Sequence, residues 1–219
     1  MRPTDRLPQL CPEDWARATD HPFCAALADG SLPPERMKWY LIEDHKFIGE
    51  FVRLLASAVA HAPRLEDAVP GAQFLAVITG PENTYFLRSF EALGVSDAAR
   101  AMPPAPEGQA LLDAMAAARL SGRYEDMLAV LVVAEWSYLE WGERHAPPAP
   151  DLPFWFAEWI ELHSGEGFRG VVDYLRGQLD QAWDGLDRPA RERVERIFSE
   201  MVRLECAFFD AAMGRDTVR

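Results

Sequence analysis

The sequence predicts an all-α fold: a single-domain bundle of roughly eight to nine helices. Three observations lead there. Apolar residues recur at helical spacing along nearly the whole chain, and no run alternates as a half-buried strand would. The Pro-rich stretches are short and join helices of similar composition, so they read as loops within one domain spanning residues 1–219. No internal repeat divides the chain.

The first helix is expected from about Cys11 to Ala28, stopped by Gly30 and the prolines of ADGSLPP. The second starts near Pro34 and runs to about Ala62, and the third covers about Leu65 to Thr79. TGPEN is then expected to interrupt, and the fourth helix spans Glu82 to about Leu93. AMPPAPEG reads as a loop before a fifth helix from about Gln109 to Ser121. The sixth runs from about Tyr124 to His145 and ends at the stiff APPAPDLP connection. Two more follow, near Phe154–Ser164 and Gly165–Asp184, before a last helix from about Pro189 to Met213.

Composition narrows the function. Hydrophobic residues make up 49% of 219, enough for a large core. The net charge is −13 and no Lys/Arg cluster stands out, which argues against nucleic-acid partners and anionic membranes. No apolar run approaches the roughly 18 residues of a membrane span, and the N-terminus lacks the apolar core of a signal peptide. Cys11, Cys24 and Cys206 are odd in number and form no CxxC pair, as expected of a reduced, cytoplasmic protein.

The informative residues are acids in the wrong place. Neighbours at i±3, i±4 and i±7 share a helix face. Asp44 shares its face with Met37, Tyr40, Leu41, Phe47, Ile48, Phe51 and Leu55. Glu205 lies among Phe198, Met201, Val202, Phe208, Phe209 and Ala212. Glu135 follows eight residues without a polar side chain, Met127 to Ala134, and shares a face with Leu128, Leu131, Tyr138 and Leu139. A single such acid is ordinarily an edge residue or is paired with an arginine from elsewhere. Three on three helices point instead to a shared polar pocket inside the bundle, where buried carboxyls serve as acids and bases. Glu82, followed by Tyr85 and Phe86, is a fourth candidate; its alternative is a favourable charge at a helix start.

Other chemistries find no support. No Glu has His three residues on, so the di-iron bundle signature is absent. His21, His45 and His61 come with no second feature of a haem site. His21 is expected to cap or pack the first helix, His61 and His145 to end helices, and His163 to line the pocket or cap a helix end. Cys206 lies about 100° round the helix from Glu205 and reads as a packed thiol. No nucleophile-elbow, phosphate-loop or dinucleotide motif occurs.

At these residues the chain resembles the thiaminase II (TenA) family, from about His21 to Met213. LADGSLPPERMKWYLIEDHKFIGEFVRLLA resembles the family's second-helix signature, and RLECAFFDAAM its last-helix segment. WIELHSGEGF and PENTYFLRSFEALGV add to the likeness. The resemblance implies a haem-oxygenase-like fold that uses no haem, no other cofactor and no metal. It puts Asp44 on the pyrimidine-binding aspartate and Glu205 on the catalytic glutamate. The family's nucleophilic cysteine falls at Ala134, beside Glu135, and its pocket tyrosines at Phe47, His163 and near Leu111. The chain therefore resembles the branch that uses glutamate in place of cysteine. That branch hydrolyses 4-amino-5-aminomethyl-2-methylpyrimidine or its N-formyl form to hydroxymethylpyrimidine, in thiamin salvage. Asp44, Glu205 and Glu135 would be catalytic, with Phe47, Glu82, Tyr138, His163 and Phe208 around the ring. Homologues of this kind form homo-oligomers, tetramers built from dimers. Two other readings stay open: a related enzyme or binding protein for another small heteroaromatic or amine, and a non-enzymatic regulator.

Overall fold

Twelve α-helical segments, and no strand, make up the described residues, 2–214, of the computed structural model. They are α1 (Pro3–Arg6), α2 (Pro12–Thr19), α3 (Pro22–Ala28), α4 (Pro34–His61), α5 (Leu65–Val77), α6 (Asn83–Leu93), α7 (Asp97–Arg100), α8 (Pro106–Leu120), α9 (Tyr124–His145), α10 (Phe154–Leu162), α11 (Gly165–Trp183) and α12 (Arg188–Met213). Five open on a proline at their first position, where a missing N–H costs nothing because no turn precedes it to accept the bond. None of the helices is long and apolar enough to cross a membrane.

Three expectations need correction. The stretch from Cys11 to Ala28 is two helices, because Pro22 cannot donate within a helix. The first run ends at Thr19, and His21 accepts from the Phe23 N–H at 3.1 Å, capping α3. TGPEN does not interrupt: Ile78–Glu82 forms one π-helical turn that carries α5 straight into α6. The Asn83 N–H reaches back five residues to the Ile78 carbonyl, and this wider turn accommodates Pro81, which has no hydrogen to offer. In AMPPAPEG the helix resumes at Pro106, and the short α7, capped by Ser96, precedes the loop.

Helix α9 is the axis of the bundle. Every residue from Asp126 to Leu139 is buried, with α2, α4, α8, α11 and α12 packed around it. Burial of its Leu and Val side chains contributes about 1.5–3 kcal/mol each. That apolar excess offsets the cost of taking Glu135 out of water. Helix α8 docks onto α4 through Glu43, whose carboxylate accepts from the Ala105 N–H at 2.7 Å and pairs with Lys46 at 2.5 Å. Helix α10 approaches α9 at Gly142, where a Cβ would overlap the carbonyl oxygen of His163.

Gly142→Ala is therefore expected to destabilise the protein by about 1–3 kcal/mol, since backbone must move to admit one methyl group. Urea unfolding measures it; an unchanged midpoint would mean that α9 and α10 are not held this closely.

Candidate active site

The cavity is built one residue at a time from six elements. From α4 come Asp44, Phe47, Ile48 and Phe51. The π-helical turn presents Ile78 and Glu82, and α8 presents Leu111. Ala134, Glu135 and Tyr138 come from one face of α9. Trp159 and His163 stand at the end of α10, and Glu205 and Phe208 on α12 close the wall. The empty space, open solvent at its mouth included, is about 470 Å³. All eight site residues named from the sequence line it, as do Ala134 and Leu111.

Glu82 shows why the continuous helix matters. It does not start a helix with free N–H groups, so the macrodipole alone does not explain an acid there. It stands at the end of the π turn and lines the cavity together with Asp44 and Glu135.

Four carboxyl groups thus share one enclosed space. Among the described residues none of them has an ion-pair partner or a hydrogen bond to another residue. The ion pairs of the fold lie elsewhere, as between Arg193 and Asp126 or Arg2 and Asp180. Burial pushes the Glu205 carboxyl up to about 8 and that of Glu82, which is partly exposed, up to about 7. Asp44 and Glu135 are also driven well above the ordinary range, first by burial and then by the negative charge facing them, Glu82 foremost. Glu82 is therefore the first to ionise as pH rises, and one charge opposes the next. No three His, Cys, Asp or Glu side chains among the described residues are grouped closely enough to hold a metal ion; the four acids are spread around the walls.

The rest of the lining is aromatic, with Phe47 stacked on Phe51 at 5.5 Å and Phe208 against Tyr40 at 5.7 Å. His163 Nδ1 donates to the carbonyl of Trp159, 2.8 Å away, and burial pushes the ring down to about 4, so it is neutral. Sequence reasoning passed over Trp159 and Ile78. Trp159 had a signal, standing four residues before His163 on the same helix face. Cys206 lies off the cavity, its thiol donating to the Asp14 carbonyl at 3.3 Å.

The model of the TENA/THI-4/PQQC family matches residues 11–215. A protein of Halalkalibacterium halodurans named aminopyrimidine aminohydrolase is 28% identical over 201 residues, covering 90% of this chain and 89% of its own. One of the same name from Bacillus subtilis is 24% identical, covering 99% of this chain and 92% of its own. In fold, the chain is similar to a TenA homologue of P. horikoshii OT3, with TM-score 0.84 and 23% identity over 98% of this chain and 100% of that one.

Unpaired buried acids make stability depend on pH. In the unfolded chain Glu205 ionises near its ordinary 4.5, whereas in the folded protein it keeps its proton to about 8. Below 4.5 both states are protonated and nothing is lost; between 4.5 and 8 the unfolded state ionises first and stability falls. Tm is expected to drop across this window. Glu205→Gln should recover on the order of 3 kcal/mol at pH 7 and nothing below pH 4.5, as thermal unfolding followed against pH will show.

Proposed function

The chain belongs to the TENA/THI-4/PQQC family and is an enzyme of the thiaminase II type, and we propose that it is an aminopyrimidine aminohydrolase of the glutamate branch. Its substrate is 4-amino-5-aminomethyl-2-methylpyrimidine or the N-formyl form, and its product is hydroxymethylpyrimidine. The observation that carries this reading is the set of four carboxyl groups without a cation, in an aromatic cavity that has Ala134 where the family's thiol would stand. Such a site suits a flat basic ring bearing an amine, since each carboxyl can give or take a proton from it.

Water attacks the methylene carbon, the C–N bond breaks, and the nitrogen leaves as ammonia from the aminomethyl compound or as formamide from its N-formyl form. Glu82 is the first of the four to ionise, burial and the charge of Glu82 hold the Glu135 carboxyl well above its ordinary range, and whichever of the two is ionised takes the proton of the attacking water. Glu205, still protonated, supplies a proton to the leaving amine or a ring nitrogen. Asp44 holds the exocyclic amine and a ring nitrogen. Phe47, Tyr138, His163 and Phe208 surround the ring. We read residues 1–219 as one catalytic domain of a cytoplasmic homo-oligomer, dimer or tetramer, with no nucleic-acid or membrane partner; the net charge of −13 supports the last point. Phe47, His163 and Leu111 at the family's tyrosine positions favour a second reading, a related small heteroaromatic amine as substrate.

The test is turnover by purified protein of the aminomethyl compound, its N-formyl form and thiamin in parallel, with hydroxymethylpyrimidine followed by chromatography. Release from the first or second, with little from thiamin, is expected; no release from any of the three moves the reading to another amine. Glu205→Gln and Glu135→Gln should each lower kcat at least a hundredfold, in line with loss of an acid or a base. With base ionised and acid protonated, kcat/KM should rise through about pH 7 and fall through about pH 8. A flat profile across this range would remove Glu82 and Glu205 from those roles.

A further inference from the structure

We infer that Trp159 sets the hydrogen-bonding polarity of two cavity groups at once: it holds Tyr138 as a donor and His163 as an acceptor. This wall then takes a ligand edge that carries one lone pair and one N–H or O–H. The inference rests on the cavity being the substrate site and adds to it the residues that orient its polar groups.

The argument follows one hydrogen at a time. Trp159 is buried on α10, and its indole N–H, which can only donate, lies 3.2 Å from the Tyr40 hydroxyl. Tyr40 is fully buried and has one other partner among the described residues, the Tyr138 hydroxyl at 2.8 Å. A single hydrogen lies between the two phenols. If Tyr138 supplied it, Tyr40 would keep its own hydrogen in the core with nothing to receive it, a costly state. If Tyr40 supplies it, Tyr40 accepts from Trp159 and donates to Tyr138, and every group is used. Tyr138 then has its hydrogen free for the cavity it lines.

The other end of Trp159 works in the opposite sense. Its backbone carbonyl can only accept, so the hydrogen of the neutral His163 ring sits on Nδ1. Nε2 is left as a bare lone pair with no partner among the described residues. The Tyr138 and His163 rings are 4.9 Å apart, close enough for one ligand edge to meet both. A ring nitrogen beside an amino group is such an edge, and an aminomethyl or hydroxymethyl arm is another. A phosphate or carboxylate offers only acceptors and meets the His163 lone pair with repulsion. Tyr40 and Trp159 are positioning residues here, acting through Tyr138 and His163.

Two measurements on the full chain test this. The first needs no ligand: nitrogen-15 NMR at pH 7 of protein labelled in histidine and tryptophan. His163 should show a neutral ring protonated on Nδ1 alone, and Tyr40→Phe should shift the Trp159 indole resonance and leave the other indoles in place. A His163 ring protonated on Nε2, or on both nitrogens, overturns the inference. The second is a double-mutant cycle on kcat/KM with 4-amino-5-aminomethyl-2-methylpyrimidine. Tyr138→Phe should cost about tenfold and Tyr40→Phe several-fold, as for loss of one hydrogen bond. In the Tyr138→Phe background, Tyr40→Phe should cost nothing more. Additive losses would reduce Tyr40 to packing and overturn the relay. Absence of turnover in the wild type would instead count against the substrate reading, while the spectra still decide the polarity.

Discussion

Much of this structure answers one constraint: four carboxyl groups are enclosed together without a cation to neutralise them. An isolated ionised carboxylate in an apolar interior costs more than a fold can bear, so most of these groups retain protons at neutral pH. Such a set offers a basic ligand proton donors and, in the first group to ionise, a base. The penalty in stability and the capacity for proton transfer are thus two consequences of the same burial.

The cost is met locally. Helix α9 places Glu135 at the end of a run that is buried on all sides, so the apolar side chains before it outweigh the acid. Helix α12 does the same for Glu205 with Phe198, Met201, Val202 and Phe209. Asp44 rests on Met37, Tyr40 and Leu41. Each acid is carried by a helix whose own face anchors it, which leaves little freedom for the carboxyls to turn away toward water. Glu82 differs: it stands at the end of a π-helical turn, partly exposed, and is the easiest of the four to ionise.

Around the acids the aromatic residues supply shape and direction. Tyr40, Tyr85, Phe86, Tyr138, Trp159 and His163 form one contiguous set of ring contacts between α4, α6, α9 and α10. Its polar atoms are joined through Tyr40 and Trp159, so ring packing and hydrogen bonding fix the same geometry. The close passage of α10 past Gly142 sets where this group sits relative to Glu135.

Periodicity determined the helical class and the faces that carry Asp44, Glu135 and Glu205, and together with the proline signals it determined the extents of α4, α9 and α12 to within a residue or two. The reason is physical: a helix face recurs at a fixed angle per residue, so an acid inside an apolar stripe must enter the core wherever that stripe packs. Local rules misjudged Pro22 and Pro81 in opposite ways. One proline begins a new helix after a capping His21, and the other is absorbed by a wider turn, a choice that packing on both sides makes and a short window cannot. What the tertiary structure decided is convergence. That the acids of α4, α9, α12 and the π turn face one space, that no arginine or lysine among the described residues meets them, and that Trp159 joins Tyr138 to His163 depend on how helices far apart in sequence cross, which no spacing along the chain encodes.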